Sequence, residues 1–286
     1  MPTVFEGPPP LIYSPRSLAE ALALFVPNPQ ARLFAGGTAW PDSLTGTVQL
    51  PPVTISLHWA DDLKKVAYGE RFLDLGGGLT LNQLLSVRGP WVPTLLKDAA
   101  RVIGTSALRN LATVAGNLCQ RNVLGDLFPC LYLLGAQFEA RNLRGSRWIT
   151  AQDVADQGQL ALLAGEILTR VRIPQGEWPL AFYQKIGTIR TPWDERISLA
   201  AIARTKTGQL ETLRFAFHLP HSGLLRVRDL EAELQGQSLP LSHRLRSLAL
   251  DAVNEALEHL EAPASAFQRD RVQHMTRWIL TRLEDE

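Results

Sequence analysis

The sequence predicts a two-domain chain of mixed helices and strands. Three observations predict it. The chain has 286 residues, a length that suggests about two domains and does not limit core size. Up to Pro174, short strand-like runs are mixed with short helical ones. Beyond Pro174 come two strand-like runs, a hairpin with one apolar face and then three helical patterns. The boundary therefore falls between Pro174 and Pro179, dividing the chain into residues 1–175 and 176–286.

In the first part, Pro8-Pro9-Pro10 makes an extended lead-in. Ser17-Leu-Ala-Glu20 is a capping-box pattern, and apolar residues run on to Phe25, so a short helix follows, stopped by Pro27 and Pro29. Residues 32–35 read as a strand that feeds a turn at Gly36-Gly37. Residues 53–57 and 72–75 are further strands, the second followed by a turn at Gly76-Gly77-Gly78 and a helix over 79–85. Residues 91–101 are helix-like, while 103–119 are rich in small residues and poorly periodic. Asp126 is placed to cap a helix with Pro129 in its first turn. Residues 137–141 and 167–173 read as strands.

In the second part, 180–186 and 197–204 are strand-like and Thr207-Gly208 makes a turn. Leu213, Phe215, Phe217 and Leu219 then alternate with Thr212, Arg214, Ala216 and His218. Helical patterns follow at 227–234, 241–260 and 267–283. In the last, Val272, Met275, Ile279 and Leu283 mark one face.

Composition excludes several functions. Lys plus Arg (29) nearly balances Asp plus Glu (28), giving a formal charge of +1, so nothing points to nucleic acid or a membrane surface. Two cysteines, Cys119 and Cys130, cannot form a disulfide framework. Nor can they hold two [2Fe–2S] clusters, each of which takes four ligands. The two cysteines are expected to be reduced and buried. No segment is apolar for long enough to span a bilayer. Met1-Pro-Thr-Val-Phe-Glu-Gly lacks the basic-then-apolar order of a signal peptide, so a cytoplasmic protein is expected.

Three stretches carry candidate chemistry. In Leu33-Phe-Ala-Gly-Gly-Thr-Ala39, glycines after a strand let successive N–H groups turn toward an anion, and Thr38 adds a hydroxyl. The same residues also read as a plain turn. Neither a P-loop nor a Rossmann fingerprint is present. In Arg109-Asn-Leu-Ala-Thr-Val-Ala-Gly-Asn117, small residues allow close approach to the backbone, and Thr113 and Asn117 supply donors and acceptors. Asp126, after Gly125, can accept from polyol or ribose hydroxyls. The alternative is a buried turn with a capping aspartate. In Tyr183-Gln-Lys185, with Arg190 downstream, a cation would favour a nearby negative charge, though a strand lysine also simply faces solvent. Arg269, Arg271, Arg277 and Arg282 read as a solvated helix face. No catalytic set and no metal-ligand spacing stands out, which suits a cofactor carrier.

In this order the pieces resemble the FAD-binding (medium) subunit of the molybdenum hydroxylases, the xanthine dehydrogenase family, and are similar to its carbon monoxide dehydrogenase flavoproteins. The likeness runs from about Leu11 to Leu283, through Ser17-Leu-Ala-Glu-Ala-Leu, Ala35-Gly-Gly-Thr38, Arg109-Asn-Leu-Ala-Thr-Val-Ala-Gly-Asn117, Gly125-Asp-Leu-Phe-Pro129, Glu166-Ile-Leu168 and Tyr183-Gln-Lys185. The resemblance implies an α+β fold. A two-lobed FAD-binding domain of the PCMH or vanillyl-alcohol-oxidase-like type would have lobes of about 1–57 and 58–175. A C-terminal domain with a three-stranded antiparallel sheet and a helical bundle would follow. It implies an oxidoreductase subunit with FAD as its cofactor. Molybdopterin would sit on a large partner chain and [2Fe–2S] clusters on a small one, and electrons would pass through FAD to NAD⁺ or another acceptor.

Carried over by position, Ala35, Gly36, Gly37, Thr38 and Ala39 would hold the pyrophosphate, with Thr113, Gly116 and Asn117 completing that site. Asp126 would bind ribityl or ribose hydroxyls. Ile103 and Leu168 would pack against the cofactor, and Lys185 would lie near the flavin end. Ala112 and Ala115 stand where the family usually has glycine, and a methyl at a position of positive φ would strain the loop. Ala39-Trp40, Arg121-Asn-Val-Leu124 and Thr191-Pro-Trp-Asp-Glu-Arg196 also depart from the pattern. Two other functions remain open at the level of sequence: a flavin-free assembly subunit and a free-standing FAD oxidase.

Overall fold

The computed structural model describes residues 10–38, 51–89, 92–120, 125–187, 195–220 and 222–284. Pro8, Pro9, Ala39, Trp40, Trp91, Arg190 and the stretches 121–124 and 191–194 lie outside them.

The first lobe contains β1 (Leu11–Tyr13), α1 (Leu18–Leu24), β2 (Arg32–Phe34) and β3 (Val53–Ser56). Its strands run parallel in the order β1-β3-β2. The Ser17 hydroxyl caps α1 by accepting from the Glu20 N–H. The Glu20 carboxylate accepts from the N–H of Arg16 instead of that of Ser17, so the expected capping box closes one residue early. Ala21, Leu22 and Ile55 form a small core with Ile167 from the next lobe.

A short 3-10 helix (Asp61–Lys64) then leads to β4 (Val66–Tyr68) and β5 (Phe72–Gly76). Next come α2 (Leu81–Ser86), α3 (Thr94–Arg101), α4 (Ser106–Arg109), α5 (Val114–Leu118) and α6 (Phe128–Leu133). β6 (Gln137–Asn142), β7 (Gly145–Thr150), α7 (Ala151–Gln157) and β8 (Ile167–Pro174) complete the lobe. The five strands are antiparallel in the order β4-β5-β8-β6-β7. Helices cover one face, where Leu73, Leu75, Phe138 and Val171 pack with Leu95, Leu96, Phe128 and Leu131. On the other face Asp74 accepts from Arg170 at 3.0 Å and from Arg172 at 2.8 Å. Arg172 lies 4.3 Å above the Trp148 ring. Burial alone would raise the Asp74 carboxyl, but the hydrogen bonds and charges of Arg172 and Arg170 outweigh it and hold it below its ordinary value.

The remaining chain forms β9 (Leu180–Ile186), β10 (Ile197–Lys206), β11 (Gln209–Leu219), β12 (Gly223–Leu225), α8 (Arg228–Leu234), α9 (His243–Glu258) and α10 (Ala266–Arg282). The three long strands are antiparallel, as expected, and the three-residue β12 extends the edge beside β11. Strand alternation gives this sheet two apolar faces. Leu199, Ala201, Phe215 and Phe217 pack with Val253, Val272, Met275 and Ile279 of the helices. Ala200, Ile202 and Ala216 belong instead to the core of the second lobe.

The Gly76-Gly77-Gly78 turn joins more of the molecule than its sequence suggested. Gly76 N–H donates to the Lys65 carbonyl, Gly77 N–H to that of Thr169 and Gly78 N–H to that of Leu63, each at 2.8 Å. The Gly77 carbonyl accepts from Ala115 N–H, also at 2.8 Å. A β-carbon on Gly76 would fall 2.2 Å from the Leu63 oxygen, and one on Gly77 2.5 Å from the Leu168 oxygen. Three backbones therefore meet only because no side chain intervenes. Gly76→Ala is expected to destabilise the fold by about 1–3 kcal/mol through overpacking, seen as a lower thermal midpoint. An unchanged midpoint would mean that the 3-10 segment yields without cost.

Candidate functional site

After β2 the chain turns through Ala35-Gly36-Gly37-Thr38, with Gly37 at φ +68°. Gly36 lies directly against the second small-residue loop: a β-carbon there would fall 1.7 Å from the Leu111 carbonyl oxygen. Among the described residues the N–H groups of Gly36, Gly37 and Thr38 enter no hydrogen bond. Successive unengaged amides at a turn are a place where an anion can replace water. Ala39 lies outside the described residues.

The second loop is bound into the fold. Arg109 donates through one guanidinium nitrogen to the carbonyls of Arg101, Ile103 and Gly104, at 3.0, 3.2 and 2.8 Å. Thr113 caps α5, its hydroxyl accepting from Gly116 N–H at 3.0 Å. Val114 N–H donates to Leu79 and Ala115 N–H to Gly77, tying this helix start to the glycine turn. Asn117 is buried and its Oδ1 accepts from Leu127 N–H at 3.0 Å. The expected strain at Ala112 and Ala115 is not found. Among the described residues, Thr207 is the non-glycine with positive φ. Ala112 is buried with the core, and Ala115 lies within α5. Methyl groups are compatible with both backbones.

Asp126 departs from one expectation. The N-cap of α6 is Leu127 without a side-chain cap, although Pro129 sits in the first turn as predicted. The Asp126 carboxylate instead accepts from Lys185 Nζ with both oxygens, at 2.8 and 2.7 Å. Lys185, Ser198 and His218 stand opposite one another across β9, β10 and β11. His218 Nε2 is buried with no hydrogen-bond partner among the described residues. Burial pushes this imidazole down to about 4, with Asp126 opposing and Lys185 adding to the shift. The cysteines divide: Cys130 is fully buried, whereas Cys119 exposes part of its surface although the protein packed around its thiol pushes it up to about 12.

A cavity of about 620 Å³ lies where the loops meet. Ala35 lines it from the first loop and Thr113 from the second, so the structure brings these two predicted residues together. Gly36, Gly37, Thr38, Ile103, Gly116, Asn117, Asp126, Leu168 and Lys185 are not part of its wall. Ile103 and Leu168 are buried in the second-lobe core, and the Leu168 carbonyl faces Gly77. Lys64, Asn82, Gln83 and Asn110 also line the cavity and were not singled out from sequence. Asn110 belongs to the second small-residue loop. Asn82 and Gln83 follow the glycine turn, and their polar positions on a short helix gave a usable but overlooked signal. Asn82 Nδ2 donates to Asn110 Oδ1 at 2.5 Å, which joins α2 to the second loop.

A family model described as the FAD binding domain in molybdopterin dehydrogenase matches residues 4–176. The chain belongs to this family. It is an oxidoreductase component with FAD as its cofactor, and its fold is α+β of the two-lobed flavin-binding type. The chain is 26% identical over 277 residues to the xanthine dehydrogenase FAD-binding subunit of Escherichia coli O157:H7, covering 93% of this chain and 92% of that one. In three dimensions it is similar to quinoline 2-oxidoreductase from Pseudomonas putida 86, at TM-score 0.76 and 22% identity, over 96% of this chain and 95% of that one. It is also similar to carbon monoxide dehydrogenase from Hydrogenophaga pseudoflava, at TM-score 0.75 and 22% identity, over 96% of both chains.

The buried imidazole makes a prediction about acid. With its folded pKa near 4 against an ordinary 6.5, His218 stays neutral while the unfolded chain takes up a proton. The unfolded state therefore binds more protons across that window, and stability falls as pH drops through it. His218→Gln is expected to lose less stability than the parent on going from pH 6.5 to pH 4, by up to a few kcal/mol. Urea midpoints at the two pH values measure this. Equal losses in both proteins would show that His218 is not held neutral.

Proposed function

We propose that this FAD-binding chain is the electron-carrying subunit of a molybdenum hydroxylase complex. The observation that carries the reading is the meeting of two small-residue loops at a cavity lined by Ala35 and Thr113, with unengaged amides on the three residues that follow Ala35. The residues fit the cofactor: Gly36, Gly37 and Thr38 offer N–H groups to a diphosphate, with Ala35 and Ala39 flanking them. Thr113 lines the opposing wall, and Gly116 and Asn117 follow it in α5. Their own hydrogen bonds already serve the fold, so their part is to set backbone position. Asp126 accepts from ribityl or ribose hydroxyls while sharing Lys185, which lies toward the flavin end. Ile103 and Leu168 supply apolar backing.

Bound FAD supplies one-electron and two-electron redox chemistry; the chain holds it, excludes water and fixes its charge environment. Electrons would come from [2Fe–2S] clusters on a small partner subunit, fed by a molybdopterin-binding large subunit, and leave to NAD⁺ or another acceptor. The names of the E. coli and H. pseudoflava relatives support such an assembly, and this chain's two cysteines leave the clusters to a partner. The working division is a flavin domain over residues 1–175, its lobes parting near residue 57, and a C-terminal domain over 176–286. The cytoplasm is the proposed compartment. Among the described residues no helix is long and apolar enough to cross a membrane. Neither Ala112 nor Ala115 has positive φ, so the motive for a flavin-free scaffold falls away.

The purified chain is expected to show flavin absorbance and to release one FAD on denaturation. Gly36→Ala is expected to lose the flavin while keeping its far-ultraviolet circular dichroism, because the added methyl drives the two loops apart. A colourless parent that takes up no added FAD, alone or with its partner subunits, would overturn the reading.

A further inference from the structure

A polar row crosses one end of the β9-β10-β11 sheet. Lys185, Ser198 and His218 are paired in register across the three strands. Side chains paired in this way share a face, so all three stand on the side where Lys185 meets Asp126. The Lys185 and Asp126 side chains keep 16% and 25% of their surface exposed. Ser198 and His218 are 2% and 5% exposed, and Leu224 of β12 is paired with His218 on its far side. Three hydrogen-bonding positions in this row are unspent. Lys185 Nζ carries three hydrogens. Among the described residues its acceptor is the Asp126 carboxylate, whose two oxygens take two of them. His218 Nε2 and Ser198 Oγ are buried without a hydrogen-bond partner among the described residues. The Tyr183 phenol approaches Ser198 without forming a well-directed bond to it, and reaches the Asp126 carbonyl at 3.4 Å. Leaving buried polar atoms unpaired is costly and uncommon.

The arrangement limits what can satisfy them. Strands lie about 4.8 Å apart, which sets the Lys185 and His218 backbones about 10 Å from each other with Ser198 between them. The short Ser198 side chain leaves space between the two longer ones. The charges that face this space balance. The Asp126 carboxylate answers the Lys185 ammonium. Burial keeps the His218 imidazole neutral, pushing it down to about 4. Burial also raises the Tyr183 phenol and the Cys130 thiol, which stay uncharged. The occupant is therefore a small neutral molecule that both donates and accepts. Water meets these terms, and in buried sites it makes about three hydrogen bonds. We propose that a single buried water binds between Lys185, Ser198 and His218, and that through it His218 is the positioning residue of the Lys185 ammonium. The water accepts from the third Nζ–H and donates to His218 Nε2 and Ser198 Oγ, with the imidazole proton on Nδ1. The water site rests on this chain's residues alone. Its redox consequence rests on the FAD reading, in which Lys185 lies toward the flavin end. An ammonium held there favours negative charge on the reduced ring and raises the flavin potential.

Crystal structures of the parent, His218→Leu, His218→Gln and Lys185→Met test this, together with the midpoint potential of bound FAD in each. The parent is expected to show an ordered water about 3 Å from all three atoms. His218→Leu is expected to lose that water and to let Lys185 swing away from Asp126. His218→Gln, whose side-chain amide reaches the place of Nε2, should keep both. The flavin potential should fall in His218→Leu, fall further in Lys185→Met and stay near the parent's in His218→Gln. His218→Leu added to Lys185→Met should bring no further fall. A parent without the water, or a Lys185 unmoved in His218→Leu, would overturn the proposal, and FAD bound in that same parent would leave the flavin reading standing. An equal fall from His218→Leu with and without Lys185 would also overturn it, since His218 would then act on its own. The water and the displaced lysine, found in a chain that binds no FAD, would support the proposal and defeat the flavin reading.

Discussion

Everything near the proposed cofactor site depends on backbones touching at Gly76-Gly77-Gly78. Atoms of Leu63, Leu168 and Ala115 all lie within 3.0 Å of where β-carbons on these glycines would stand. The turn closes β5, fixes the 3-10 segment, receives the start of α5 and holds β8 in one stroke. A contact of this kind is steric before it is energetic. Each hydrogen bond is of ordinary strength, but none can form unless the chains approach without side chains. Gly36 applies the same rule on the other side of the cavity, against the Leu111 carbonyl.

That constraint divides the polar groups into those the fold has used and those it has left. The amides of Val114, Ala115 and Gly116 are bonded within the protein, as is the side-chain oxygen of Asn117. The amides of Gly36, Gly37 and Thr38 are not, among the described residues. The two loops therefore have unlike parts, one presenting donors and the other holding shape. Outside the cavity wall, Asp126 and Lys185 form a carboxylate–ammonium pair whose charges balance beside a buried imidazole. A polar ligand brought there meets a balanced pair.

Much of the fold was legible because its signals were strong and local. The alternation of Leu213, Phe215 and Phe217 placed a strand, and Val272, Met275, Ile279 and Leu283 are all buried as their spacing required. What escaped notice was short, or had no period of its own. β7 lies at a sheet edge with half of its residues exposed, so its composition reads as a loop. α4 and α5, four and five residues long, cannot show helical periodicity. At the site, the glycine loops were visible because missing side chains are conspicuous in a sequence. Lys64 was not, because a lysine in a charged surface run carries no mark of what its backbone is tied to. The strain expected at Ala112 and Ala115 failed for a related reason: a family's glycine records what was allowed, and φ is a property of coordinates.

The sheet built from β9, β10 and β11 has a further consequence. One of its faces belongs to the core of the helical end and the other to the core of the flavin-binding lobe, so it is a party wall shared by two dwellings. Neither side can be stripped away without exposing the apolar surface of the other. Heat or denaturant should find the two halves melting together, and the bound cofactor would sit in a vessel with no hinge along that wall.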